Sequence, residues 1–162
     1  VQFRNRIYFP AGKEAAAMVQ PADAAKEISR LSREMERLYH ELSLKTGLSD
    51  SAFLIFYAIG ELGDGCLQTQ IADEYCVSRQ TINTSVKRLV QQGFLSLAPG
   101  RGRGMHLHLT PAGRAVMEQK LAPVFALEES VLASMPAAQR AQLLRLLGRY
   151  VQLYRRHVRA PG

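Results

Sequence analysis

From Pro21 onward the apolar residues fall at helical spacing: Ile28, Leu31, Met35, Leu38 and Leu42 alternate steps of three and four, with charged residues between them. This predicts a long amphipathic helix from Pro21 to near Gly47. Ser49, Asp50 and Ser51 offer N-caps for a second helix carrying Phe53, Leu54, Phe56, Tyr57 and Ile59, closed by the glycines between Gly60 and Gly65. A short helix over Gln68 to Tyr75 and a turn at Cys76 and Val77 follow. Ser78, a good N-cap, then opens a helix from Arg79 to Gln92 that Gly93 stops. The period next changes to two, so Phe94 to Leu97 and Met105 to Leu109 read as strands of a hairpin with a Gly/Arg loop between them. Thr110 as N-cap and Pro111 at the first helical position restart a helix toward Met135, with a bend expected at Pro123. After Pro136 a last helix runs from Ala137 to about Val158.

Helix, tight turn, helix and hairpin, in that order, make a winged helix-turn-helix. The expected fold is mainly α with a small β-hairpin wing, plus a helical dimerisation region. Residues 48–110 form the DNA-binding domain in this reading, 21–47 and 111–162 the dimerisation region, and 1–20 an arm of unknown role without sustained periodicity. Met18 is a possible start codon, so part of that arm can be an upstream extension. Pairing between two chains is expected because Leu143, Leu144, Leu146, Leu147, Tyr150, Val151 and Tyr154 make a stripe broader than one small domain needs.

The helix from Arg79 has two distinct faces. At 100° per residue Ile82, Val86, Leu89 and Val90 cluster on one side, and Gln80, Asn83, Thr84, Lys87 and Gln91 gather opposite. Gln and Asn can bond adenine through two hydrogen bonds, and Arg79 at the N-terminal end can reach guanine. Ser78, Thr81, Thr84 and Arg88 suit the phosphate backbone.

Charge supports a nucleic-acid partner. The chain has 21 Lys and Arg against 14 Asp and Glu, a net +7. Between Glu74 and Glu118 there is no acidic residue, while Arg79, Lys87, Arg88, Arg101, Arg103 and Arg114 all fall inside that stretch. Arg101 and Arg103 stand among glycines, which lets a guanidinium approach an electronegative minor groove. The expected partner is therefore double-stranded DNA. With 162 residues and 47% apolar composition the chain can bury one substantial core. No apolar run of about 18 residues could span a bilayer, and no signal-peptide stretch opens the chain. A soluble, cytoplasmic, nucleoid-associated bacterial protein is expected, with no membrane partner.

The segments Ile71 to Ile82, Val86 to Leu95 and Leu107 to Arg114 together resemble the multiple-antibiotic-resistance regulator (MarR) family. The leucine-threonine-proline-alanine-glycine ending at Leu109 to Gly113 is the most distinctive piece. The resemblance implies an obligate homodimer built from the terminal helices, binding to a roughly palindromic promoter site, and release by a small phenolic or hydrophobic ligand. Four positions depart from the family pattern. Cys76 occupies a turn position that is often Gly, Ser85 replaces an apolar residue, the wing lacks an Asp-Arg brace, and the helix at Gln68 has no ideal N-cap.

Tyr39, His40, Phe53, Phe56 and Tyr57 could line an aromatic effector crevice with a polar handle, although core packing explains the aromatics equally well. Cys66 and Cys76 are too few and poorly spaced for a disulfide framework or a zinc site, and a redox-switched regulator is the alternative they raise. His106 and His108 share a strand face but lack a third ligand, so no metal or other cofactor is expected. No nucleophile elbow, phosphate loop or metal-binding helix motif points to an enzyme. A winged-helix adaptor that docks an acidic protein is the remaining alternative.

Overall fold

The computed structural model describes residues 20–99 and 104–160. The chain divides between Lys45 and Thr46 into two units, each of which is described by itself.

The first unit is built on α1 (Pro21–Thr46). Charged pairs one turn apart staple its surface. Arg30 donates from Nε and Nη2 to Glu27 at 3.0 and 2.8 Å and from Nη1 to Glu34 at 2.6 Å. These bonds hold the Glu27 carboxyl below the usual carboxylate range and raise Arg30 further. The predicted apolar stripe is present, and Ile28, Leu31, Met35 and Leu38 are all exposed.

The second unit begins with α2 (Asp50–Leu62), capped by the Ser49 hydroxyl, which accepts a hydrogen bond from the Ala52 N–H. Next come α3 (Gln68–Glu74) and α4 (Arg79–Gln91), then strands β1 (Leu95–Pro99) and β2 (Met105–Leu109). Ile55, Phe56 and Ile59 of α2, Ile71 of α3, Ile82, Val86 and Leu89 of α4, and Leu107 of β2 form the core. Packing of α2 and α3 on α4 therefore fixes which side of α4 looks outward. At the start of α3 the missing N-cap is made good by Gln70, whose Oε1 accepts the Leu67 N–H at 2.7 Å.

Helix α5 (Pro111–Val116) starts as predicted, with the Thr110 hydroxyl accepting from the Gly113 N–H and Pro111 in the first turn. Just before Pro123, where a bend is expected, the helical ladder changes. Residues Met117–Leu121 make a π-helical turn, and α6 (Ala122–Ala133) continues the same run. Proline has no N–H to donate and its ring crowds the carbonyl one turn back. The ladder accordingly widens before it, and the Ala122 N–H bonds the Met117 carbonyl five residues earlier.

The last helix, α7 (Ala137–Arg159), buries none of its residues. Leu143, Leu146, Leu147, Tyr150, Tyr154 and Val158 are all exposed on it. No single helix among the described residues is long and apolar enough to cross a membrane.

Candidate nucleic-acid interface

Helix α4 begins with a tightly made cap. The Ser78 hydroxyl accepts from the Thr81 N–H at 3.1 Å and is tied to the Thr81 hydroxyl at 2.7 Å. Ile82, Val86 and Leu89 are buried below, with Val90 half-buried, while Gln80, Thr81, Asn83, Thr84, Lys87 and Arg88 are exposed. The two faces thus separate as the periodicity predicts. Ser85 is the exception. It is buried where an apolar residue is usual, and its hydroxyl donates to the Thr81 carbonyl at 2.9 Å, so no bonding capacity is stranded in the core.

The turn leading into α4 explains the departure at Cys76. Its φ is +52°, the left-handed region in which glycine is favoured, and Cys76 is the one non-glycine residue there among the described residues. Cys76 is exposed, whereas Cys66 is buried, and burial pushes the Cys66 thiol up. Desolvation, with carboxylates of Glu61, Glu74 and Glu128 nearby, also pushes the Tyr75 hydroxyl up to about 12.

A residue that periodicity did not single out stands beside the cap. Asp73 Oδ1 lies 3.6 Å from Arg79 Nη2, joining the exposed side of α3 to the first residue of α4. The available signal was its place at the edge of the acid-free stretch.

The wing is a two-stranded antiparallel hairpin with Leu95 opposite Leu109 and Leu97 opposite Leu107. Arg101 and Arg103 lie outside the described residues. The segment before α3 adds a short third edge. The Gly65 N–H donates to the Leu107 carbonyl at 2.8 Å, the Leu107 N–H to the Cys66 carbonyl at 2.9 Å, and Leu67 bridges to His106. Asp64 Oδ1 accepts the Leu109 N–H at 2.9 Å and lies 3.7 Å from His108 Nδ1, while His106 Nδ1 bonds the Gly65 carbonyl. Both histidines are therefore engaged with the α2–α3 connection. Asp64 stands beside His108, but among the described residues no group of three or more His, Cys, Asp and Glu side chains is placed to hold a metal ion.

The Leu109 to Arg114 segment closes the wing onto α4. The Thr110 hydroxyl donates to the Gly93 carbonyl at 2.6 Å, and Arg114 Nη1 donates to the Leu109 carbonyl at 2.7 Å. A β-carbon on Gly113 would collide with the Phe94 carbonyl oxygen. Thr110, Gly113 and Arg114 of the motif thus each have a mechanical reason to be there, and Arg114 is spent on the backbone.

The residues expected to line an effector crevice belong to both units. Tyr39 is half-exposed and His40 exposed on α1. In the second unit Phe53 and Tyr57 are neighbours at 5.9 Å between ring centroids, and Tyr57 also meets Phe125 at 5.1 Å and Tyr75 at 6.5 Å. The Tyr57 hydroxyl donates to Glu128 at 2.9 Å. Phe56 has no exposed surface and packs edge-on against Phe94, so it serves the core.

Residues 46–104, which include the helix-turn-helix and reach the end of the wing loop, match the MarR family model. No curated protein matches the sequence. Among solved structures, the chain is similar to a MarR family regulator from Neisseria meningitidis, with 18% identity, 87% of this chain and 97% of that chain covered, and a TM-score of 0.68. Staphylococcus aureus MarR, solved with salicylate and kanamycin, is 15% identical over 86% of this chain and 95% of that one, with a TM-score of 0.65. Bordetella bronchiseptica BpsR, whose DNA binding is regulated by 6-hydroxynicotinic acid, is 19% identical over 77% of this chain and 98% of that one, with a TM-score of 0.58.

Proposed function

We propose that this chain, whose winged helix-turn-helix belongs to the MarR family, is a homodimeric transcription regulator that reads a roughly palindromic DNA site and is released by a small aromatic ligand. The observation that carries the proposal is the outward face of α4. Gln80, Asn83, Thr84 and Lys87 stand exposed on it, on a helix whose opposite side is locked into the core, within a stretch free of acidic residues. Arg79, Gln80 and Asn83 would read base edges. Ser78, Thr81, Thr84, Lys87 and Arg88 would hold phosphates, with Arg101 and Arg103 reaching the flanking groove.

The homodimer is supported by the long apolar stripes exposed on α1 and α7, which are larger than a monomer normally leaves in water. A two-fold dimer would present two copies of α4 to two half-sites. Tyr39 and His40 on α1 and, separately, Phe53 and Tyr57 on α2 are proposed for test as effector contacts, and aromatic acids are the ligand class to screen, given the salicylate and 6-hydroxynicotinic acid of the two similar proteins. The cytoplasm, where a regulator meets the chromosome, is the proposed location.

The test is binding-site selection from genomic fragments, followed by affinity measurement across salt concentrations. We expect one enriched pseudo-palindrome, with affinity falling as salt rises by a log-log slope of roughly 0.9 per phosphate neutralised. A flat salt response, or no preference over random duplex, would leave the protein-docking adaptor as the better account.

A further inference from the structure

The geometry points to Asp73 as a specificity-determining residue: it presets the Arg79 guanidinium for a base edge and penalises the protein on every duplex that does not satisfy that arginine. The inference rests on the DNA-binding reading above.

Three observations meet at this pair. The first is its contact across the turn, 3.6 Å from Asp73 Oδ1 to Arg79 Nη2, between the second-last residue of α3 and the first residue of α4. The second is exposure, with the side chains 70% and 73% open, so the pair lies on the surface that meets solvent and not in the core. An ion pair so exposed contributes only about 0 to 1 kcal/mol to stability, which makes folding a poor reason for its presence. The third is charge context. From Tyr75 to Met117 the chain has no carboxylate, and Asp73 and Glu74 stand at the border of that stretch.

A carboxylate beside the N-terminal end of α4 repels phosphate on any duplex, whatever its sequence. Such a cost is retained usefully only where the same group improves discrimination. A guanidinium otherwise free to sweep its rotamers can settle on phosphates of any sequence. Holding one N–H of Nη2 at Asp73 restricts that sweep and leaves the other edge of the guanidinium fork to meet the two acceptors of a guanine edge. The carboxylate itself accepts hydrogen bonds and donates none, so a cytosine amino group beside that guanine suits it, whereas a base presenting only acceptors there is repelled.

The experiment compares the wild-type protein with Asp73→Asn, Arg79→Ala and the double variant, all as the full chain. Each is titrated onto the duplex selected by the wild type and onto a shuffled duplex of equal composition, by fluorescence anisotropy at fixed salt. Asp73→Asn should bind the shuffled duplex more tightly, while its preference for the selected duplex falls by about 5-fold or more. Arg79→Ala should lose a similar share of the preference, and the double variant should lose little beyond it. A preference for the selected duplex unchanged within about 2-fold in Asp73→Asn, or additive losses in the double variant, overturns the inference and leaves the DNA-binding reading intact. A wild type with no preference for any duplex overturns both. The exposed pair lies outside the core, so thermal melts of the variants should match that of the wild type.

Discussion

Gly113 and the carbonyl of Phe94 meet with no space for a side chain between them. The contact lets α5 lie directly against the start of the wing, and the Thr110 N–H seals it by donating to the same carbonyl at 3.1 Å. Gly113→Ala must push backbone away from backbone, which has no flexible end to yield. We expect a loss of about 1 to 3 kcal/mol, read as a lower urea midpoint with an unchanged slope. An unchanged midpoint would contradict the packing described.

The turn before α4 predicts a change of the opposite sign. Cys76 holds a φ of +52°, which costs a side-chain-bearing residue roughly 1 to 2 kcal/mol relative to its preferred regions. Glycine removes that cost but has more freedom to lose on folding. Cys76→Gly should therefore stabilise the protein by about 0.5 to 1 kcal/mol, measured by urea denaturation. Destabilisation would mean that the thiol makes a contribution its exposure does not suggest.

The two thiols should differ in reactivity. Cys76 is exposed, while Cys66 is buried and its thiol is raised, so less thiolate forms there at neutral pH. Ellman's reagent should titrate one thiol per chain rapidly in the folded protein and the second only on unfolding. Peroxide treatment that lowers DNA affinity in the wild type but not in Cys76→Gly would favour the redox-switched alternative over release by an aromatic ligand.

Tyr75 supplies a pH dependence. Its hydroxyl is pushed up to about 12 from an ordinary 10, first by desolvation and then by the carboxylates around it. The folded state therefore holds the proton longer than the unfolded state, and the stability linked to it is lost as pH rises from 10 to 12. Tyr75→Phe should flatten this alkaline decline and remove one step near 12 from the phenolate absorbance titration. An unaltered titration curve would show the assignment to be wrong.

Substitutions on α4 should divide by role. Gln80→Ala and Asn83→Ala are expected to relax sequence preference, at about 1 to 3 kcal/mol on the selected site and little on random duplex. Lys87→Ala should instead weaken all duplexes alike and reduce the salt slope by about 0.9. Equal losses on every sequence from all three variants would argue against the division.

What was legible in the sequence was mostly local or periodic. Ser49, Ser78 and Thr110 act as the caps their positions announced, because a cap needs only a hydroxyl and the N–H groups just downstream. The buried side of α4 was legible because Ile82, Val86 and Leu89 recur at helical spacing. Long-range pairings left no such trace. Leu67 bridges to His106 from a segment with no alternation, and Asp64 reaches Leu109 across 45 positions. Pro123 signalled a disturbance, but whether a helix kinks or widens at a proline depends on the surrounding packing. The Asp73–Arg79 contact was missed because a tight turn brings together residues that share no helical face.

The extra edge formed by Gly65 to Leu67 has a mechanical consequence. It ties the hairpin to the segment that leads into α3, and the Thr110 hydroxyl ties the other end of the hairpin to the residue just past α4. Clamped at both ends, the hairpin can shift against the helices only if the hydrogen bonds at Gly65, Leu107 and Thr110 break. On the proposed regulatory reading, a ligand that releases DNA would therefore act by repositioning the winged lobe as one piece and not by prying its hairpin from its helices.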